Sequence, residues 1–231
     1  MTDTSSRRTG ASVKPEQASN LTLATDHPYC IAFWRTAEHK EQASLEAELA
    51  PVMDHLQRAV GAAGAVLALS TDHLRVALHT QWVTSEACQS WMTCLLACTL
   101  PAPSDVDEFE LAFIETVENA RPLGEGDLIA LGEFWIHDLS NQIILVERER
   151  VAARAALRSP GMLSATFHRG LAGTRIVNLA QIENAEAVTR LASLPGFAAS
   201  SGYWRDLARN EHHTYRIVRV VPPPAKQRKS T

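Results

Sequence analysis

Several classes of protein are excluded by what this sequence lacks. The 231-residue chain carries a net charge of only −4, and its one basic cluster is Lys226, Arg228 and Lys229, so it has no electrostatic footprint for a nucleic acid. No run reaches the ~18 apolar residues of a membrane-spanning helix. The first twenty residues lack the apolar core of a secretory signal. We therefore predict a cytoplasmic protein that binds neither nucleic acid nor membrane.

Spacings typical of disulfides, metal sites and dinucleotide sites are also missing. The four cysteines form no C-x-x-C pair, and buried reduced thiols suit the predicted compartment better than a disulfide or a zinc site. His212 and His213 are adjacent, so on a strand they point to opposite faces and cannot chelate one metal ion. No G-x-G-x-x-G follows a predicted strand. We predict no metal ion and no tightly held dinucleotide.

What the sequence does contain is one pattern of elements that occurs twice. Phe33-Trp34 and Phe134-Trp135 end apolar runs 101 residues apart, and Gln81 and Gln181 close later strands 100 residues apart. Each half reads β-α-β-β-α-β, the ferredoxin-like arrangement with both helices on one sheet face. The other sheet face must be buried, and a second copy can cover it.

The predicted fold class is therefore α+β, with two tandem ferredoxin-like units in a dimeric α/β-barrel arrangement. The alternative is one irregular α+β domain whose spacing is coincidental. The predicted division is a disordered leader over 1–24, a degenerate first unit over 25–120, a second unit over 121–221 and a disordered tail over 222–231.

The pattern also predicts where each element lies. The first unit is expected to hold strands 29–35, 65–70, 74–82 and 109–118 and helices 39–60 and 85–97. The second unit is expected to hold strands 128–136, 163–169, 175–181 and 214–221 and helices 140–157 and 185–209. The last helix is expected to break at Pro195, because proline cannot continue the backbone hydrogen bonds of a helix.

The stretch Ser159–Gln181 (SPGMLSATFHRGLAGTRIVNLAQ) resembles the signature of the antibiotic biosynthesis monooxygenase family. Its parts are a Pro-Gly entry at 160–161, an apolar strand ending in His168, a Gly-containing hairpin at 173–174 and V-N-x-A-Q at 177–181. The resemblance covers most of the second half, and the first half is a weaker relative.

Neither half keeps the whole family pattern. The tryptophan that usually follows the glutamine is Trp82 in the first half but Ile182 in the second. The family asparagine is Asn178 in the second half but Leu78 in the first. Either only one half has a working cavity, or the chemistry differs from cofactor-free anthrone oxidation.

The resemblance implies an oxygenase. Members of the family typically oxygenate anthrones, quinones or hydroquinones with O2, some without metal or bound flavin and others with reduced flavin from a partner. The two-copy length resembles the oxygenases that open or contract a ring in atypical angucycline biosynthesis. We therefore expect a monooxygenase of a small angucycline-type aromatic polyketide, which inserts oxygen and can cleave a carbon–carbon bond. Its cofactor would be FADH2 or FMNH2 delivered by a flavin reductase, or none.

Three questions stay open at this point. One alternative is a cofactor-independent anthrone oxygenase. Another is a non-catalytic ligand-binding or cyclase-assisting barrel. The sequence also does not decide whether the two units pair within one chain or between the chains of a homodimer.

The candidate catalytic residues lie in the second half. Asn178 shares a strand face with Ile176 and Ala180, and an amide there is costly to bury unless it bonds something. We interpret Asn178 as a donor to a substrate carbonyl or phenolate, although a bond to a neighbouring backbone group is the simpler alternative. His168 could act as a base because its ordinary pKa lies near neutrality, and Arg205 could assist.

The candidate substrate-binding residues are Trp82, Trp135, Gln181, Tyr203 and Trp204. The aromatic rings could stack on a polycyclic ligand, but core packing explains the strand tryptophans equally well. Tyr203, Trp204 and the following arginine come after the predicted helix break. An aromatic-arginine cluster there suits a lid over an anionic quinone or a flavin phosphate, and an ordinary amphipathic helix is the alternative.

Overall fold

The computed structural model describes residues 20–98, 100–118, 120–198 and 200–224. The strands are β1 (Asn20–Leu21), β2 (Tyr29–Arg35), β3 (Ala62–Ser70), β4 (Arg75–Trp82), β5 (Asp105–Thr116), β6 (Leu123–Gly124), β7 (Leu128–Ile136), β8 (Met162–Gly170), β9 (Arg175–Ile182) and β10 (Ala208–Val221). The helices are α1 (His39–Leu56), α2 (Ser85–Ala97), α3 (Asn141–Ala156) and α4 (Ala185–Ala192). Of the helices in these ranges, none is both long and apolar enough to cross a bilayer.

Eight strands close into a barrel in which all neighbours are antiparallel. Their order is β10-β3-β4-β2-β5-β8-β9-β7. Each half supplies four adjacent strands in the same spatial order, and the two seams are β5–β8 and β10–β3. Because a closed barrel has no edge strands, the two halves complete each other within one chain. The α+β barrel of the prediction is confirmed.

From β7 to β9 the second half corresponds to the first half at a spacing of 100 residues. The Val83 amide donates to the Gly61 carbonyl oxygen at 2.8 Å, and the Glu183 amide donates to the Gly161 carbonyl oxygen at 2.9 Å. Gly61 and Gly161 both hold a positive φ, of 82° and 87°. Each residue between β7 and β9 can therefore be compared with a structural counterpart 100 positions earlier.

The alignment of the two Phe-Trp pairs is wrong by one residue. The registers of β2 on β4 and of β7 on β9 make Phe134 the counterpart of Trp34. A shift of one residue turns a strand side chain to the opposite face. Trp34 therefore packs under the helices of the first half, whereas Trp135 faces the barrel interior.

The core has an inner layer, inside the barrel, and an outer layer, between the sheet and the helices. In the first half the outer layer is one continuous apolar cluster beneath α1 and α2. In the second half it divides into two separate clusters beneath α3 and α4. The largest inner-layer side chains are Tyr29, Ile31, Phe33, Phe109, Leu179, Tyr215 and Ile217.

The prediction of a helix over 185–209 is wrong beyond Ala192. Pro195 has no amide hydrogen, and Gly196 adopts a φ of +85°, a left-handed conformation that does not continue a helix. A series of turns follows, and β10 begins at Ala208 rather than at residue 214. The other predicted helices and strands are present, with ends that differ by four residues or fewer.

The predicted disordered leader is wrong for residues 20–24. Leu21 is fully buried and pairs with Leu123 of β6. The Ala24 amide donates to Gln81 Oε1 at 3.2 Å. These contacts close one end of the barrel. The rest of the predicted leader (1–19) and most of the predicted tail (225–231) lie outside the described residues.

Two buried histidines meet inside the barrel. His79 Nε2 and His168 Nε2 are 3.2 Å apart, and the Tyr29 ring packs edge-on against His168 with centroids 4.7 Å apart. Neither Nδ1 atom has a hydrogen-bond partner. Burial lowers the pKa of His79 to about 4, and burial together with the neighbouring His79 lowers the pKa of His168 well below its usual range. Both rings are neutral at pH 7.

This pair predicts that the protein loses stability in mild acid. The unfolded chain takes up protons below the ordinary histidine pKa of about 6.5, whereas the folded barrel does not. The free energy of unfolding is therefore at its full value above pH 6.5 and decreases as the pH falls toward 4. The decrease is roughly 3 kcal/mol for His79 alone. Urea unfolding between pH 7 and pH 4 measures this decrease. The double variant His79→Leu/His168→Leu should flatten the dependence of the free energy of unfolding on pH, and the exposed-site control His137→Gln should leave it unchanged. Equal slopes for the double variant and the wild type would contradict this account.

Candidate active site

Three of the predicted site residues face the barrel interior. His168 contacts the inner-layer histidine and tyrosine described above. Gln181 Nε2 donates to Asp127 Oδ2 at 2.9 Å. The Trp135 ring lies beside two arginine guanidinium groups, 4.0 and 5.6 Å from its centroid. Asn178 projects from the opposite face of the sheet, so the prediction that His168 and Asn178 share one cavity is wrong.

Two further predicted residues lie away from Asn178. Trp82 is in the outer layer of the first half, where it packs against Trp91 with ring centroids 5.5 Å apart. Its indole nitrogen donates to Thr80 Oγ1 at 2.8 Å, which is the environment of a core residue. Arg205 is exposed and donates to the backbone carbonyl oxygen of Ser200.

Tyr203 and Trp204 do lie against the outer layer of the second half. Their rings are perpendicular, with centroids 4.9 Å apart. Trp204 packs edge-on against Phe134 at 5.9 Å, and Tyr203 packs edge-on against Phe197 at 5.8 Å. Four aromatic rings therefore cover the side of the sheet from which Asn178 projects.

Three substitutions interrupt this layer relative to the first half. The positions are Gly132, Glu149 and Asn178, none of which belongs to either apolar cluster of the second half. Their counterparts 100 residues earlier are an alanine and two leucines, all within the continuous cluster of the first half. The second half has thus exchanged apolar packing for a carboxyl and an amide in the same layer.

Glu149 is the functional candidate that sequence reasoning missed. Its counterpart Leu49 is fully buried in the first half, and Glu149 is itself 0% exposed. Neither carboxyl oxygen has a hydrogen-bond partner. Burial raises the pKa of Glu149 well above its usual range, which favours the neutral carboxylic acid, a form that can donate a hydrogen bond. Alignment of the halves at a spacing of 100 would have revealed the leucine-to-glutamate change.

Asn178 is partly buried, and its Oδ1 atom is enclosed without a hydrogen-bond partner. The bond to a neighbouring backbone group, which was the simpler alternative, is therefore not formed by that atom. An unpartnered buried polar group costs about 1–3 kcal/mol. The layer holds two such groups, and a ligand with polar atoms could satisfy both.

A groove of about 750 Å³ lies on the outer side of α3, and neither Glu149 nor Asn178 lines it. Tyr203 lines the groove, and burial together with the nearby Glu149 raises the pKa of its hydroxyl well above its usual range. The apolar lining of the groove includes Ile144, Val151, Ala152, Pro195 and Phe197.

The far wall of the groove is a segment that is six residues longer than its counterpart in the first half. We call residues 193–198 and 200–207 the cover segment. Phe109 of β5 pairs with Tyr29, and Tyr215 of β10 pairs with Ile129, the counterpart of Tyr29. Phe109 and Tyr215 are therefore equivalent, although they lie 106 residues apart, six more than the spacing of 100. Arg148 of α3 holds the segment by donating to both Asp206 carboxylate oxygens, at 2.6 and 3.0 Å, and to the Tyr203 carbonyl oxygen at 3.0 Å.

The groove residues do not fit a resident flavin. A flavin phosphate requires a cation or a row of free amides. Of the described residues that line the groove, Arg148 is the only cation, and both of its terminal nitrogens are bonded to the cover segment. The described part of the chain also contains no group of three or more side chains placed to hold a metal ion.

Comparison with known proteins shows similarity of fold. No family model and no curated protein sequence matches the chain. A solved "anthrone oxidase-like protein" has a TM-score of 0.72 and 15% identity over 84% of this chain and 92% of its own. A putative monooxygenase from Fusobacterium nucleatum has a TM-score of 0.59 and 9% identity over 86% and 95%. A "major regulator of staphylococcal pathogenesis" has a TM-score of 0.50 and 8% identity over 83% and 99%. The fold is therefore shared by proteins with different named roles.

The unpartnered polar groups predict an unusual response to substitution. Asn178→Leu and Glu149→Leu, which install the first-half residues, should each raise the free energy of unfolding by about 1–3 kcal/mol because an unsatisfied buried group is removed. The matched changes Leu78→Asn and Leu49→Glu should lower it. Urea unfolding at pH 7 measures all four. A loss of stability in both second-half variants would show that these groups are already satisfied.

The contacts of Arg148 predict local opening of the cover segment. Arg148→Ala should change global stability by less than about 1 kcal/mol, since exposed ion pairs contribute little. Amide hydrogen exchange in residues 200–207 should nevertheless become faster than in the wild type. The control is Arg154→Ala. Arg154 also lies on α3, and its substitution removes an exposed ion pair with Glu115 of β5. Unchanged exchange in Arg148→Ala would contradict the assigned role.

Proposed function

We propose that this protein is an oxygenase that inserts oxygen from O2 into a polycyclic aromatic polyketide. The observation that carries the proposal is the pair of enclosed, unpartnered polar groups, Glu149 and Asn178, in an otherwise apolar layer. Aromatic rings cover that layer, and one of them, Tyr203, also lines the groove beside α3. Flat apolar walls with a few convergent polar groups are typical of small-molecule sites.

The two halves, we infer, are copies of one ferredoxin-like unit, and only the second has kept a cavity. Their equal strand order and the spacing of 100 residues support a common origin. In the first half, Leu49, Leu78 and Trp82 fill the corresponding layer. The first half therefore serves to close the barrel, and the second half binds the substrate.

The site can promote oxygen chemistry by stabilising an electron-rich form of the substrate. A phenol or anthrone becomes reactive toward O2 as its phenolate or enolate. One electron passes to O2, the resulting superoxide and substrate radical combine to form a carbon–oxygen bond, and loss of water leaves a carbonyl group. For an anthrone, the methylene group plus O2 gives a ketone plus water. Donors aimed at the substrate oxygen lower the free energy of the anion.

An angucycline-type quinone is the substrate that we propose in particular. Ring cleavage of such an oxidised substrate by monooxygenation requires two further electrons, which reduced flavin would supply as a diffusing co-substrate. The named role of the anthrone oxidase-like structure instead favours oxidation of an anthrone without added reductant. Both reactions use the same cavity, and the requirement for reductant separates them.

Oxygen consumption by the purified protein tests the proposed function. Dithranol, a dihydroxyanthrone, is supplied in air, and an angucycline quinone is supplied with and without reduced flavin. We expect O2 uptake together with a product whose mass contains oxygen from labelled O2, and at least a tenfold lower rate for Asn178→Leu. The matched control Trp82→Ile, which places the second-half residue in the first half, should retain the wild-type rate.

Two outcomes would contradict the proposal. If neither substrate is consumed under any condition, the chain is not an oxygenase of this class. If a substrate binds but its mass is unchanged, the barrel is a binding or cyclase-assisting protein instead.

A further inference from the structure

We propose that Glu149 determines the ligand specificity of the second-half cavity, by donating a hydrogen bond from a neutral carboxylic acid to a ligand oxygen. The cavity would then select polycyclic aromatics that carry a carbonyl or phenolate oxygen on one edge, and reject hydrocarbons of the same shape. This inference rests on the proposed function for its ligand class, but its test does not require turnover.

The first support is the geometry of the layer. Glu149 projects from α3 toward the sheet at the position of a core leucine, and both of its oxygens are enclosed and unpartnered. Burying a carboxyl without a partner is costly, and replacing it by leucine would restore the continuous packing of the first half. A group that destabilises the unliganded protein is retained most readily where it serves a ligand.

The second support is that, among the residues that the structure describes, no cation is placed to hold Glu149 as an anion. Arg148, its neighbour on α3, is bonded to Asp206. Arg150, its other neighbour, lies 4.7 Å from the centroid of the Phe113 ring. The side chain therefore has neither an ion-pair partner nor solvent to favour ionisation.

The groups facing Glu149 from the other elements are neutral or exposed. Tyr203 faces it from the cover segment, and burial together with Glu149 raises the pKa of that hydroxyl well above its usual range. Asn178 and Asn210 lie on the outer face of the sheet. His212 also belongs to that face but is exposed. A proton on Glu149 is thus one donor available to a ligand oxygen, beside the Tyr203 hydroxyl and the Asn178 amide.

The proposal makes the affinity for such a ligand depend on pH. As pH rises through the raised pKa of Glu149, the carboxyl ionises, loses its donor hydrogen and repels an anionic oxygen. Affinity should therefore be highest at low and neutral pH and should fall in alkali. Glutamine has nearly the same shape and keeps N–H donors, but it cannot ionise.

The experiment measures binding of danthron, the dihydroxyanthraquinone that corresponds to oxidised dithranol, from pH 6 to pH 10. The proteins are the wild type, Glu149→Gln, Glu149→Leu and the first-half control Leu49→Met. We expect Glu149→Gln to bind danthron within a few-fold of the wild-type affinity at pH 7. In alkali the wild type should lose affinity, whereas Glu149→Gln should lose less. Glu149→Leu should bind roughly 10- to 100-fold more weakly, and the control should match the wild type.

Infrared spectroscopy supplies a readout that does not depend on the ligand. The wild type at pH 7 should show the carbonyl band of a neutral carboxylic acid that Glu149→Gln lacks. Absence of that band, coincident pH profiles for the wild type and Glu149→Gln, or failure of the wild type to bind danthron would each overturn the proposal. If the protein consumes oxygen but the wild type and Glu149→Gln show the same dependence of binding on pH, only the proposed role of Glu149 is overturned. The proposed function then still stands.

Discussion

Closure of the barrel is the constraint on which the rest of this structure depends. A four-stranded sheet with helices on one face leaves its other face and two edge strands uncovered. The β5–β8 and β10–β3 seams remove the edges of both halves together, and the two uncovered faces become the inner layer. Once that layer is filled by large side chains such as Tyr29, Phe109 and Tyr215, neither half is complete without the other.

The outer layers are free of that constraint, and there the halves have diverged. The first half packs leucine and tryptophan side chains beneath α1 and α2. The second half places Glu149 and Asn178 among apolar residues and has the longer cover segment above α3. The resulting free-energy cost is local, because the barrel seams and the inner layer do not depend on it. This separation is compatible with the proposed division of labour between a supporting half and a ligand-binding half.

Much of the fold could be predicted from sequence because its signals are periodic. Alternating apolar strands, two amphipathic helices in each half and the β-α-β-β-α-β order are local patterns that survive divergence. The turn region after Ala192 was not predictable in the same way. Pro195 and Gly196 signal a break in the helix, but the sequence does not show that the chain continues as turns and enters β10 at Ala208 instead of resuming a helix.

The site was harder to predict because side-chain direction depends on register. Trp135 was a candidate because its ring could stack on a ligand, but its position on β7 turns it toward the barrel interior. His168 was a candidate base because of its ordinary pKa, although it and Asn178 project from opposite faces of the sheet. Glu149 carried no motif, and its significance emerges only beside Leu49. The family resemblance identified Asn178, whereas the burial of Glu149 required three-dimensional contacts.

A crystal structure of the protein with danthron tests the central claim most directly. The account predicts the ligand between α3 and the outer face of β9, with one ligand oxygen within hydrogen-bonding distance of both Glu149 and Asn178 and with Tyr203 displaced from its present position. The outer layer of the first half should be unchanged and unoccupied. A ligand bound inside the barrel, or beneath α1 in the first half, would contradict the account.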